Sequence, residues 1–261
     1  MALGTILTII IYLLAIFIIF KVVKKIAKAV IYAASITLLL LLIFGLFVAK
    51  DIIDFRKSFT EQGTVVLLED KGNILAGYTM KPSPKFLTAD KIAEYNAYLE
   101  DKEYDKIRNE GYKLMIIKIE LVSGLKAEKI SIGAVSIKKE TMISVLKSDR
   151  PFELFNRALT EDEGFPSAEF DARLNDNLKL KAALLGTIVD NELLGAKNAI
   201  NFFSEYKKGN IIIYPETALF KFAKLFPLGM IKSVAKKAFA EAKEITGGIY
   251  LKIEEAYSAN A

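Results

Sequence analysis

The 261-residue chain contains no cysteine, histidine or tryptophan. A disulfide framework, a thiolate zinc site, a cysteine nucleophile and an imidazole base are therefore all excluded. The net charge of +5 comes from 36 Lys and Arg against 31 Asp and Glu, but the excess is local. No acid precedes Asp51, whereas Lys21, Lys24, Lys25 and Lys28 all fall within the first 49 residues. Residues 50–261 are near neutral with both signs interspersed, as on a solvated surface and not as on a nucleic-acid-binding face. Neither a nucleic-acid partner nor a cofactor is expected.

Residues 2–20 carry no charge and are dominated by Ile, Leu and Phe, and residues 29–49 form a second uncharged run. A helix of about 20 apolar residues crosses a hydrocarbon core of about 30 Å, so each run predicts a transmembrane helix. Between them, Lys21, Lys24, Lys25 and Lys28 predict a short basic loop over 21–28, its amines at the lipid headgroups. Residues 1–49 thus read as a transmembrane helical hairpin. No basic segment precedes the first run, so a cleaved signal peptide is not expected. Neither run holds Asp, Glu, Lys or Arg, so no charged ion pathway is expected, and attachment is the simplest role. Short basic loops stay cytoplasmic and long domains translocate largely regardless of charge. The amino terminus and residues 50–261 are accordingly placed outside.

Downstream, residues 50–60 predict a juxtamembrane stalk that continues the second helix. Thr64–Leu68 and Ile74–Met80 predict a β-hairpin across the turn Asp70-Lys-Gly-Asn73. Thr88 or Asp90 caps a predicted helix running to Arg108, with Ile92, Tyr95, Leu99 and Tyr104 on one face. Leu114–Val122 and Ile130–Ile137 read as strands, and Thr141–Leu146 as either strand or helix. Pro151–Leu159 predicts a short helix and Thr160–Pro166 an acidic loop. Alternation of Phe170, Ala172, Leu174, Leu178 and Leu180 about Asn175-Asp-Asn177 predicts a second hairpin. Helical spacing then runs from Leu185 to Tyr206, Lys208-Gly-Asn210 stops it, and Ile211–Tyr214 reads as a short strand. Glu216–Phe226 and Met230–Ile245 predict helices, and Gly248–Ile253 a last strand. Hairpin strands mixed with clustered helices indicate one α+β soluble domain over 50–261, following the hairpin.

Without histidine, catalysis would rest on carboxylates, lysine, tyrosine or hydroxyls. Glu161-Asp-Glu163 lacks the alternating acids and central glycine of a calcium loop and reads as solvated. Glu216 reads as a first-turn residue favoured by the helix dipole. Thr79-Met80-Lys81-Pro82 and Lys208-Gly-Asn-Ile-Ile-Ile-Tyr214 resemble two boxes of type I signal peptidases, membrane enzymes whose bacterial members use serine with a lysine base. In this chain Thr79 stands where that family has serine and Asn210 where it has aspartate. The two fragments cover 11 residues, too few to assign the chain.

The helix Met230–Ile245 sets Lys232, Lys236, Lys237 and Lys243 opposite an apolar side, a pattern shared by core-facing helices and by helices that lie on anionic membranes or bind a partner. The composition, 31 Lys to 5 Arg, is compatible with a prokaryotic source of low GC content or a thermophile. The leading expectation is a non-enzymatic membrane-anchored protein whose domain binds a protein partner or a second copy. A membrane-bound hydrolase using a hydroxyl and lysine or carboxylates is the alternative. A lipid-interacting protein acting through 216–245 is the third.

Overall fold

The computed structural model describes residues 2–61, 63–81, 83–109, 111, 113–132, 135–163, 176–193 and 198–229. The chain divides into two compact units, Met1–Ala49 and Lys50–Ala261.

Helix α1 runs from Ala2 to Glu61, 60 residues without interruption. It carries the expected stalk as a continuation of helix, but it also passes straight through 21–28, where the charge pattern predicts a loop. The correction has a local cause. Residues 5–44 contain neither Gly nor Pro, and Lys and Ala are good helix formers, so nothing in 21–28 breaks the backbone ladder. Among the described residues no helix is long and apolar enough to cross a membrane. The stretch 16–40, described without a gap, contains all four lysines. Within it and beside it, Ile16–Phe20, Val30–Tyr32 and Leu38–Leu40 are all exposed. Five successive residues of a helix face every direction, so the apolar surface is a sheath and not a stripe.

The second unit is mixed α+β, as its pattern predicts. Its main sheet has five strands: β1 (Thr64–Asp70), β2 (Asn73–Lys81), β3 (Ser83–Phe86), β4 (Lys113–Lys118) and β7 (Ile211–Tyr214), in the order β3-β2-β1-β4-β7. Only the β1–β4 pair is parallel, reached by a crossover through β2, β3 and the helices α2 (Ala89–Glu100) and α3 (Tyr104–Arg108). The β1–β2 hairpin turns at Lys71-Gly72, whose φ values of 53° and 87° are those of the tight turn that Asp70-Lys-Gly-Asn73 predicts. Gly77 is needed for another reason: an added Cβ would lie 2.6 Å from Leu67 Cδ2 and 2.8 Å from the Val66 carbonyl oxygen.

The β1 and β4 side chains are buried on both faces, so their sequences read as unbroken apolar runs. Val65, Leu67, Leu114 and Ile116 pack with Ile92, Tyr95 and Ile107 of α2 and α3. Lys113, Met115 and Ile117 alternate to the other face.

Four more expectations are revised. The predicted helix to Arg108 divides after Glu100, with Lys102 at a φ of 57°. The strand predicted over Leu114–Val122 ends at Lys118, and Ile119–Ser123 forms helix α4. Ile130–Ile137 is a two-stranded ribbon, β5 (Lys129–Ile132) with β6 (Val135–Lys138), and not one strand. Leu178 and Leu180 lie in helix α7 (Asn177–Ile188), capped by Asp176, whose carboxylate accepts the backbone N–H groups of Leu178 and Lys179. They do not form a hairpin strand.

The ambiguous segment is helix α5 (Lys139–Lys147), followed by α6 (Pro151–Glu163), which absorbs the start of the predicted acidic loop. A π-helical turn, Val189–Leu193, follows α7, and α8 (Ala199–Lys208) ends at Gly209 with φ 80°, the expected stop. Helix α9 spans Ala218–Leu225. The elements predicted over 230–253 lie outside the described residues.

Candidate functional site

Lys113 opens β4 and is 1% exposed, an unusual place for an ammonium group. Its Nζ donates to the Pro215 carbonyl oxygen at 2.8 Å and lies 5.5 Å from the centroid of the Phe220 ring. Burial lowers its pKa to about 8; the negative charge of Asp51 works against that decline and the positive charge of Arg108 adds to it.

Asp51, 8% exposed, lies on α1 just after the uncharged run ends. Its carboxylate accepts the Leu219 backbone N–H at 2.7 Å and the Thr217 hydroxyl. Thr217 is the N-cap residue of α9 but makes no side-chain cap bond of its own. Asp51 therefore supplies the missing acceptor from 166 residues away and sets its charge at the positive end of the α9 dipole.

The segment between Lys113 and α9 is held on both sides. Tyr214 donates to Asp105 Oδ2 at 2.6 Å, Arg108 donates to Oδ1 of the same carboxylate at 3.1 Å, and the Tyr104 and Tyr214 rings are 5.6 Å apart. Glu216 accepts from Lys224. Burial raises the Glu216 carboxyl, but Lys224 and the nearby Tyr206 outweigh it and the net shift is downward. Glu216 precedes the N-cap, so it is outside the first turn the sequence assigns it to. Phe202, Phe203 and Tyr206 of α8 pack around Phe220, with ring centroids 5.3–6.4 Å apart.

A lysine titrating near 8 has the basicity of a general base or nucleophile. Here the amine is spent on a backbone carbonyl and an aromatic face, and at 1% exposure it meets protein groups alone. What the cluster does chemically is join three distant pieces: the carboxyl-terminal end of α1, the edge of the parallel pair, and α9.

The sequence-derived candidates are placed elsewhere. Lys21, Lys24, Lys25 and Lys28 are exposed on α1, and Lys21 Nζ lies 6.0 Å from the Phe17 ring one turn back. Lys232, Lys236, Lys237 and Lys243 lie outside the described residues. Thr79 is on β2 and Asn210 immediately precedes β7, with β1 and β4 between those strands, so the two peptidase-like boxes are not brought together. Thr79 lies opposite Lys85 in the β2–β3 register, and among the described residues no group of three Asp or Glu could hold a metal ion. The backbone of Glu161–Glu163 ends α6.

Asp51 and Lys113 were not singled out by sequence reasoning. The available signal was slight: Asp51 is the first acid of the chain, and Lys113 is the one charge leading into the apolar run Leu114–Ile117. No protein-family model, curated protein or solved structure matches the chain.

Proposed function

We propose that residues 2–49 hold this chain in a lipid bilayer and that the α+β domain works at the membrane surface as a binding or assembly module. The observation that carries the reading is the apolar sheath of α1, exposed on every side over residues 16–40. Such a surface is stable in hydrocarbon and costly in water.

A straight helix over 2–49 would be about 70 Å long, more than twice the hydrocarbon thickness of about 30 Å. Both uncharged runs enter the same bilayer only if the chain turns back at 21–28, and the lysines there favour a headgroup position. In this reading α1 opens into a hairpin on insertion, with 21–28 cytoplasmic and residues 50–261 on the other side. Asp51, within the domain unit, ties the part of α1 that follows residue 49 to α9.

The hydrolase reading, through a hydroxyl with a lysine or through carboxylates, gains no support from Lys113, whose amine is enclosed. The lipid-surface reading rests on 216–245, of which residues 230–245 lie outside the described chain. The test is fractionation. The full chain stays in the membrane pellet after an alkaline carbonate wash, and a chain lacking residues 1–49 does not. Release of the full chain by carbonate would overturn the anchor.

A further inference from the structure

Among the described residues, the exposed large apolar side chains are those of α1 and one other, Leu225 at the end of α9, 76% exposed. A lone exposed leucine is ordinary on a folded domain. Leu225 differs in its neighbours and in its place relative to the uncharged runs.

The neighbours follow from helical spacing. Leu219, Phe220 and Ala223 form the buried side of α9, while Lys221, Lys224 and Leu225 are exposed. Phe222 and Phe226, four residues apart, stack with ring centroids 4.2 Å apart and are half-buried. Lysines rim this apolar group. Lys224 donates to Glu216, Lys207 of α8 donates to the Phe226 carbonyl oxygen at 2.8 Å, and Lys221 lies one turn before Leu225. A leucine and two phenylalanines bordered by amines on apolar stems suit the boundary between acyl chains and headgroups.

The place comes from Asp51. It follows the second uncharged run by two residues of continuous helix, about 3 Å at the helical rise. Its carboxylate accepts the Leu219 N–H at 2.7 Å and the Thr217 hydroxyl, which fixes the start of α9 beside it. Leu225 is six residues further along, about 9 Å at the same rise. With residues 29–49 in hydrocarbon, Asp51 stands in the headgroup layer, about 5–8 Å deep, and the whole of α9 is within reach of it.

We propose that the end of α9 formed by Phe222, Leu225 and Phe226 seats on the same bilayer that holds residues 2–49, with its lysines at the lipid phosphates. This contact rests on the anchor reading and adds to it the side of the α+β domain that faces lipid.

The experiment uses the full chain in phosphatidylcholine–phosphatidylglycerol vesicles, with a fluorophore sensitive to its surroundings on single introduced cysteines. Lys221→Cys places it beside the patch and leaves Leu225, Phe222 and Phe226 intact. Leu40→Cys reports the anchor, and Lys85→Cys lies on β3, at the opposite edge of the sheet from β7. Lipids carrying nitroxide at the headgroup or along the acyl chain serve as quenchers. Acyl-chain nitroxide should remove most of the emission at position 40, headgroup nitroxide most of it at position 221, and neither should dim position 85. Adding Leu225→Asp, a change at an exposed site, should abolish the quenching at 221 and leave that at 40 unchanged, with circular dichroism confirming the fold. Quenching at 40 without quenching at 221, or quenching at 221 that survives Leu225→Asp, overturns the α9 contact and leaves the anchor standing. A blue shift at 221 without quenching means that protein and not lipid covers the patch, and also overturns it. Absence of quenching at 40 overturns the anchor and the α9 contact with it.

Discussion

The Lys113 ammonium group stays charged at neutral pH although it sits beneath the sheet, and this makes a prediction with a definite sign. Its folded-state pKa of about 8 is below the ordinary lysine value of 10.5. Below pH 8 the amine is protonated in both states and folding bears the whole burial cost. Between about 8 and 10.5 the unfolded chain holds more protons, so this group makes stability rise with pH. The gain approaches about 3 kcal/mol at the top of the window, to order of magnitude. Tyr206, whose pKa burial and Glu216 raise, acts in the opposite direction above pH 10. The useful interval is therefore pH 8–9.5. Chemical denaturation of the native chain and of Lys113→Met across it should show a steeper rise in the first; Lys181, whose pKa burial also lowers, contributes to both. Parallel curves would contradict the assignment.

At the scale of elements, Asp51 links α1 to α9. Asp51→Ala removes both acceptor contacts at the α9 N-terminus and leaves Lys113 without its opposing charge, at an expected cost of about 1–3 kcal/mol. Asp51→Asn keeps an acceptor oxygen and should cost less. Equal stability of Asp51→Ala and the native chain in urea would show that α9 does not depend on this residue.

This link also marks where sequence reading stops. The β1–β2 hairpin was legible because Lys71-Gly72 requires positive φ, and the end of α8 because Gly209 does. Helix α4 was not, because five residues with Ile119, Leu121 and Val122 show alternation before they can show a period of 3.6. The charge pattern of 21–28 suggests a loop, yet the stretch holds no backbone breaker and is helical. Asp51, Lys113 and Thr217 form no local pattern at all: their association is set by the strand order, which brings β4 beside β7 and the segment leading into α9.

For the whole molecule, the account depends on what surrounds residues 2–49. If both uncharged runs lie in one bilayer, the segment 21–28 and the α+β domain are on opposite sides of it. The native chain has no cysteine, so single cysteines report position without background. Ala27→Cys marks the basic segment without removing a lysine, and Ser123→Cys marks an exposed position in the domain. With a membrane-impermeant maleimide on intact cells, Ser123→Cys should be labelled, and Ala27→Cys only after lysis. Labelling of both positions from the same side would contradict the hairpin.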